Sequence, residues 1–284
     1  MDALHDPFFF TIACSFLGLI VGSFLNVVIL RLPKMMEQSW RRECSELLAQ
    51  PASTDTPISL SHPNSRCLAC GASIRLWQNI PVVSWFLLRG HCANCDTPIS
   101  ARYPLVELFT GTLTGLAAWQ FGFGPEALSA FILIWILIAL TGIDIDTQLL
   151  PDSMTLALLW IGLAVNLFNI WTSLPSAVIG AMLGYGSLWS VYWVFKLVTG
   201  KEGMGYGDFK LLGALGAWFG WQTVPVIILL SSFAGGLLGI SILLLKRLER
   251  DTPMPFGPYL AGAGLVVLFF GEILMTEYML RVAL

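Results

Sequence analysis

Two aspartates stand at the ends of long apolar runs, and four cysteines come in two close pairs. Asp208 lies in "GMGYGDFKLL" (203–212), behind the alternate glycines Gly203, Gly205 and Gly207, and after Lys210 thirty-five residues follow without a charge. Asp144 lies in "TGIDIDTQLLPDSM", where the apolar run Ala127–Ile143 stops. An ionisable side chain at the edge of a bilayer is costly unless it has a partner, and marks a functional site by default. A cap at a helix start would explain the carboxylate of Asp208. It would not explain the glycines, which permit unusual backbone angles and close approach of another chain.

Two carboxylates in one water-poor site can share a proton, so that one activates a water while the other polarises a carbonyl. The partner of Asp208 is Asp144 or Asp146, which point to nearly opposite sides of a helix. Spacing leaves both open, with Asp144 nearer the apolar run; Asp152, after Pro151, suits a helix start. The three histidines (His5, His62, His91) lie outside the apolar runs, and neither G-x-S-x-G nor H-E-x-x-H occurs. The alternatives are a proton- or ion-coupled transporter, whose charges would sit nearer the midplane, and an idle scaffold that tolerates amides at both positions.

The cysteine pairs are Cys67/Cys70 and Cys92/Cys95, separated by twenty-one residues. Four thiolates on two short knuckles suit a closed, structural tetrahedral zinc site. Two disulfides are disfavoured if the loop is cytoplasmic. Cys14 and Cys44 are bystanders, and His91 a solvated loop residue.

These groups need elements to hold them. The 284 residues are 56% hydrophobic and 12% charged, against about 25% charged in soluble domains. The expected class is an all-α polytopic membrane protein. Spans are expected at Phe8–Leu30, Tyr103–Phe123, Ala127–Ile143, Ser153–Leu174, Ser176–Phe195, about Phe209–Trp221 and Val224–Leu245, with a last one beginning at Pro258. "GWQTVP" (220–225) splits the longest run. With the N-terminus outside, fourteen of the fifteen Lys and Arg residues fall in or beside the inside loops, as cytoplasmic loops require. Eight spans with both termini outside follow, with no cleavable signal apparent.

The expected organisation is a first span (1–32), a cytoplasmic zinc-ribbon-like loop (33–102), and a seven-span domain (103–284) holding the two aspartates within about 127–245. Residues 50–65 read as a linker. The net charge of −3 gives no reason to expect a nucleic-acid partner.

"GLIVGSFLNVVILRLP", "NIPVVSWFLLRGHCANC", "ISARYPLVELFTG", "DIDTQLLPD", "GMGYGDFKLL" and "PFGPYLAGAG" occur in that order. Through them the chain resembles the type IV prepilin peptidases, bifunctional leader peptidase/N-methyltransferases of the GxGD aspartyl protease class. Leu68 stands where many members have proline. The resemblance implies that Asp144, seven residues before Pro151, pairs with Asp208, with Gly205 and Gly207 shaping the catalytic loop, and it favours Asp144 over Asp146. It implies type IV prepilins or type II secretion pseudopilins as substrates, cut after a glycine at the cytoplasmic face of the bacterial inner membrane. It also implies S-adenosylmethionine as donor for methylating the new N-terminus. No residue pattern identifies that donor's pocket; Asn26, Arg102 and Glu107 could line it or could serve as interhelical hydrogen bonds.

Overall fold

The computed structural model describes residues 6–49, 58–67, 69–201, 203–244 and 255–282. Most of the linker, Leu68 and the basic residues from Lys246 to Arg250 lie outside these. Among the described residues the chain is helical, without β-strands. It forms two compact units, Met1–Phe123 and Gly124–Leu284.

The first unit is built on α1 (Pro7–Leu47) and α3 (Arg102–Phe121), with the short α2 (Val83–Leu87) in the loop between them. Asp6 starts α1, its carboxylate accepting the Phe8 and Phe9 amides, with Pro7 in the first turn. The apolar "GLIVG" segment packs on "GTLTG" of α3. A Cβ on Gly18 would lie 2.9 Å from the Gly111 Cα, and one on Gly22 2.8 Å from the Glu107 Cα. Small residues four apart let two apolar helices touch at the backbone, which is how helices associate where hydrophobicity alone gives no preference. The helix does not stop near Leu30 as the apolar run does. It continues through Pro33 to Leu47, passing the expected boundary at residue 32, with a Glu37–Arg41 pair and a Ser39–Glu43 hydrogen bond along its polar extension.

The second unit comprises α4 (Pro125–Thr147), α5 (Asp152–Asn166), α6 (Leu174–Thr199), α7 (Tyr206–Phe219), α8 (Val224–Leu244) and α9 (Gly257–Val282). Its centre is α7, apolar on all sides and buried from Leu211 to Phe219, as expected of a helix enclosed by others. Against α6 the backbones again meet through glycine: a Cβ on Gly180 would come within 2.2 Å of the Gly216 carbonyl oxygen. Gly220, with φ at +85°, ends α7, and Trp221–Thr223 forms one 3-10 turn before α8. The "GWQTVP" break therefore falls where expected.

The span expected at Ser153–Leu174 is shorter, since α5 ends at Asn166. The cause is a buried amide. Asn166 Nδ2 donates to the carbonyls of Ala217 and Trp218 at 2.8 Å each, closing the end of α7, while its Oδ1 accepts the amides of Trp171 and Thr172 at 3.0 and 3.1 Å. Asn166→Leu strands all four groups. At about 1–3 kcal/mol for each buried group left unpaired, partly recovered by relaxation, we expect a loss of about 3 kcal/mol, read as a lower unfolding midpoint in detergent.

Eight helices thus stand where eight spans were expected. Five of them (α1, α4, α6, α8 with its leading turn, and α9) are long and apolar enough to cross a membrane. At 15 and 14 residues, α5 and α7 reach only about 22 Å at 1.5 Å per residue, short of the roughly 30 Å of hydrocarbon. α3, carrying Glu107 and Gln120, is less apolar than the five. Among the described residues, length and composition alone thus mark five crossings, and the eight expected spans further count the shorter α5 and α7 and the less apolar α3.

Candidate active site

In the second unit, Asp144 and Asp208 line one cleft of about 320 Å³, within the size range of ligand sites. They come from opposite helix ends. Asp144 lies in the last turn of α4, where Gln148, left-handed at φ 56°, closes the helix by donating its amide to the Asp144 carbonyl. Asp208 lies in the first turn of α7. Both side chains are buried, at 4% and 6% exposure, whereas Asp146 is exposed. Burial thus places Asp144, and not Asp146, in the cleft with Asp208.

Asp208 does not occupy the cap position of α7 but its third helical position. Gly205 occupies the cap position of α7 without a side-chain hydrogen bond. Asp208 Oδ1 is the one buried side-chain polar atom among the described residues that has no hydrogen-bond partner. Such an atom in a folded interior requires an explanation. Asp144 differs: its Oδ2 accepts the Gly257 amide at 2.9 Å from the start of α9. Asp152 opens α5 as expected and also pairs with Lys210 at 2.5 Å.

The glycines act by space rather than by backbone angle, since Gly203, Gly205 and Gly207 all avoid the left-handed region. Gly207 lets the chain lie on Leu150, where a Cβ would sit 2.6 Å from the Leu150 Cβ. Gly203 packs under the Phe195 ring. Gly205 meets nothing closer than Asp208 Oδ2 at 3.8 Å, so its missing side chain leaves the cleft open beside that carboxylate.

This arrangement suits hydrolysis of an amide. One carboxylate removes a proton from water as its oxygen attacks the carbonyl carbon, and the protonated partner donates to the carbonyl oxygen. When the tetrahedral adduct collapses, the C–N bond breaks and a proton passes to the leaving nitrogen. Gly257 was missed from sequence. Its only local signal was a glycine set between prolines in "PFGP", 113 residues from the carboxylate it serves.

In the first unit the four cysteines converge. One Sγ atom from each of Cys67, Cys70, Cys92 and Cys95 lies within 4.8 Å of the others. The Cys67 and Cys95 sulfurs are 3.8 Å apart, the edge of a tetrahedron with Zn–S bonds of about 2.3 Å. The two knuckles are built alike. Arg66 bridges Ser73 and His91 bridges Pro98; the amides of Cys67 and Cys92 reach the carbonyls of Ala72 and Thr97, and those of Gly71 and Asp96 return to Cys67 and Cys92. Gly71 and Asp96, each just after the second cysteine of its pair, are left-handed at φ 70° and 56°. The Asn94 backbone and side-chain amides point at the sulfurs of Cys92 and Cys70, at 3.5 and 3.6 Å. The Thr97 hydroxyl and amide draw the Cys95 thiol down to about 6. The residues present fit zinc, and all six cysteines are free thiols rather than disulfides. Cys14, Cys44 and His91 stay outside the cluster; His91 Nδ1 pairs with the Arg89 carbonyl.

The three polar residues considered for a methyl-donor pocket separate. Asn26 and Arg102 line a cleft of about 130 Å³ with Ser100 and Tyr103, and Asn26 Nδ2 donates to the Tyr103 carbonyl. Glu107 instead accepts the amide of Val82, a residue held at φ 61° where α2 begins, at 2.7 Å. It anchors the loop. The cleft is smaller than the roughly 300 Å³ typical of small-molecule sites.

Comparison with known proteins agrees with both units. Residues 16–121 match the bacterial peptidase A24 N-terminal domain, and residues 131–240 the type IV leader peptidase family. The chain is 53% identical over 96% of its length to a prepilin leader peptidase/N-methyltransferase of Stutzerimonas stutzeri, covering 95% of that protein. It is 53% identical to one from Pseudomonas aeruginosa, covering 96% of this chain and 94% of that one, and 51% identical to one from Aeromonas hydrophila, covering 92% and 91%. No solved structure matches it. The chain belongs to the type IV leader peptidase family.

Proposed function

We propose that this chain removes the leader from prepilins by aspartyl proteolysis and N-methylates the new N-terminus, with Asp144 and Asp208 as the catalytic pair. The observation that carries the assignment of the pair is the buried, unpartnered oxygen of Asp208 in the cleft it shares with buried Asp144. Such an oxygen is available to a water or a scissile carbonyl. Gly205 leaves room beside Asp208 for an extended peptide, and Gly207 holds the loop on Leu150. The peptidase and methyltransferase activities are those named for relatives about 50% identical over nearly the whole chain. Nothing in the family assignment supports the transporter alternative.

Zinc, held by Cys67, Cys70, Cys92 and Cys95, is structural in this reading, because four protein thiolates leave no open coordination position. S-adenosylmethionine is the methyl donor; no residue is assigned to it. Type IV prepilins or type II secretion pseudopilins are the substrates. The distribution of Lys and Arg supports an inner-membrane topology with both termini periplasmic and segments 1–32, 33–102 and 103–284 as first span, cytoplasmic loop and remaining membrane domain.

The test is reconstitution. Purified chain in liposomes, given a prepilin and S-adenosylmethionine, should yield a product lacking the leader and bearing one added methyl group by mass spectrometry. Asp146→Asn should cleave within about threefold of wild type, since Asp146 is exposed and does not line the cleft. A large loss there would move the pair from Asp144 to Asp146. Transport without cleavage would overturn the reading.

A further inference from the structure

We propose that Gly257 is a positioning residue for proteolysis: its amide, at the start of α9, holds the carboxylate of Asp144, and its missing side chain is the space that carboxylate occupies. The proposal rests on the reading of Asp144 as catalytic and goes beyond it by giving α9 a part in the reaction. Three observations carry it.

The first is the hydrogen bond from Gly257 to Asp144 Oδ2, 2.9 Å long and buried. A buried hydrogen bond from a backbone amide to a carboxyl oxygen fixes direction as well as distance. The second is the local sequence. Gly257 is the first residue of α9, where amides have no partner within the helix, and its neighbour Pro258 has no amide to offer. Gly257 alone of these two can therefore point the positive end of α9 at a carboxylate. The Phe256 carbonyl accepts from Tyr259 and Leu260, so the first turn is closed and the Gly257 amide has a fixed bearing. The third is steric. A Cβ at residue 257 would lie 2.6 Å from Asp144 Oδ2 and 3.2 Å from its Cγ. Gly257 is outside the left-handed region, so its backbone angles do not call for glycine; the neighbouring carboxylate does.

An alanine here therefore has a specific consequence. The crowded atom ends a side chain that can rotate, so relief comes from turning the Asp144 carboxylate away from the amide and out of register with Asp208. Misplacement of a reacting group by about 1 Å costs on the order of 100-fold in rate. Because the fault lies in the alignment of the reacting groups, kcat should carry the loss and KM should not.

The experiment uses the full chain in liposomes and compares prepilin cleavage by wild type, Gly257→Ala, Gly262→Ala and Asp144→Asn, with methylation of an already cleaved pilin as the readout of intact protein. Gly262 lies on the same helix with nothing within 4 Å of a built Cβ, and so controls for placing alanine in α9. The expected result is a fall of about 100-fold in kcat for Gly257→Ala, with KM within about threefold of wild type. Methylation should be retained and Gly262→Ala should cleave normally. If Gly257→Ala also loses methylation, the amide is removed without adding a side chain, by replacing Gly257 with glycolic acid. A drop of at least about tenfold in kcat at unchanged KM then sustains the proposal. Near-wild-type kcat in either Gly257 variant, with Asp144→Asn inactive, overturns the proposal and leaves the aspartate pair standing. Full activity of Asp144→Asn overturns both.

Discussion

Asp208→Asn should abolish prepilin cleavage, by at least about 10³-fold, and should leave the protein at least as stable as wild type. The first half follows from the role. A carboxyl that takes and returns protons within one turnover contributes about 10²–10⁴ in rate, and an amide does neither. The second half follows from the surroundings. Asp208 Oδ1 is buried without a hydrogen-bond partner, so the exchange breaks no bond at that atom. An amide of the same shape carries no charge to bury, and charge is what makes burial expensive. Loss of activity without loss of stability distinguishes a functional carboxyl from a structural one, since active-site groups are often kept at the expense of stability.

Asp144→Asn should behave similarly, because its amide oxygen can still accept the Gly257 amide. The measurements are cleavage of a purified prepilin, methylation of a pre-cut pilin and the unfolding midpoint in detergent. Methylation should persist in both variants. Full cleavage by Asp208→Asn would reduce the glycine loop and its aspartate to architecture.

How much of this could be read from the chain varies with the range of the interaction. The helices, the break at 220–225 and the cysteine pairs are local, written in apolar runs, turn residues and ligand spacing. The pairing of Asp144 with Asp208 followed once the resemblance was admitted. Spacing alone could not separate Asp144 from Asp146, because burial depends on what packs against α4. Contacts between distant segments left no local trace. Asn166 reads as an ordinary polar residue in an apolar stretch, yet its amide ends two helices and shortens an expected span. Gly257 reads as a glycine between prolines, yet it faces Asp144.

The run of α1 to Leu47 was hidden for another reason. Apolarity marks where a helix meets lipid or core, not where its backbone hydrogen bonding ends. "EQSWRREC" is helical by charge pairing after hydrophobicity has stopped, and Pro33 gives a false stop. Of the two properties expected of the glycines of "GMGYGD", the fold uses close approach, through their lack of volume, and not backbone freedom.

Purified chain should carry one zinc ion. Its removal, or Cys92→Ser, should make the two cysteine knuckles at least about tenfold more susceptible to limited proteolysis while the helices around them stay folded. Metal matters here because little else orders the knuckles. Among the described residues of 66–73 and 90–99 the backbone makes two isolated bridges and a few turn hydrogen bonds, and the four paired cysteines are exposed or half-buried. So small a structure cannot bury enough apolar surface to offset the entropy of ordering it. Structural zinc at such sites contributes on the order of 10 kcal/mol. The damage should be confined, because the stretch between the knuckles has anchors that need no metal. Val82 is held by buried Glu107 on α3, outside both knuckles. Arg31 holds the Ser59 and Leu60 carbonyls ahead of the first knuckle. Proteolytic sites mapped by mass spectrometry should therefore cluster within 66–73 and 90–99 after chelation, sparing 80–88. Metal content by elemental analysis should fall in step with the gain in cutting. Equal rates of cutting with and without chelator would mean that the four thiols hold their places without a metal, and cuts spread through 80–88 would mean that the Glu107 anchor depends on it.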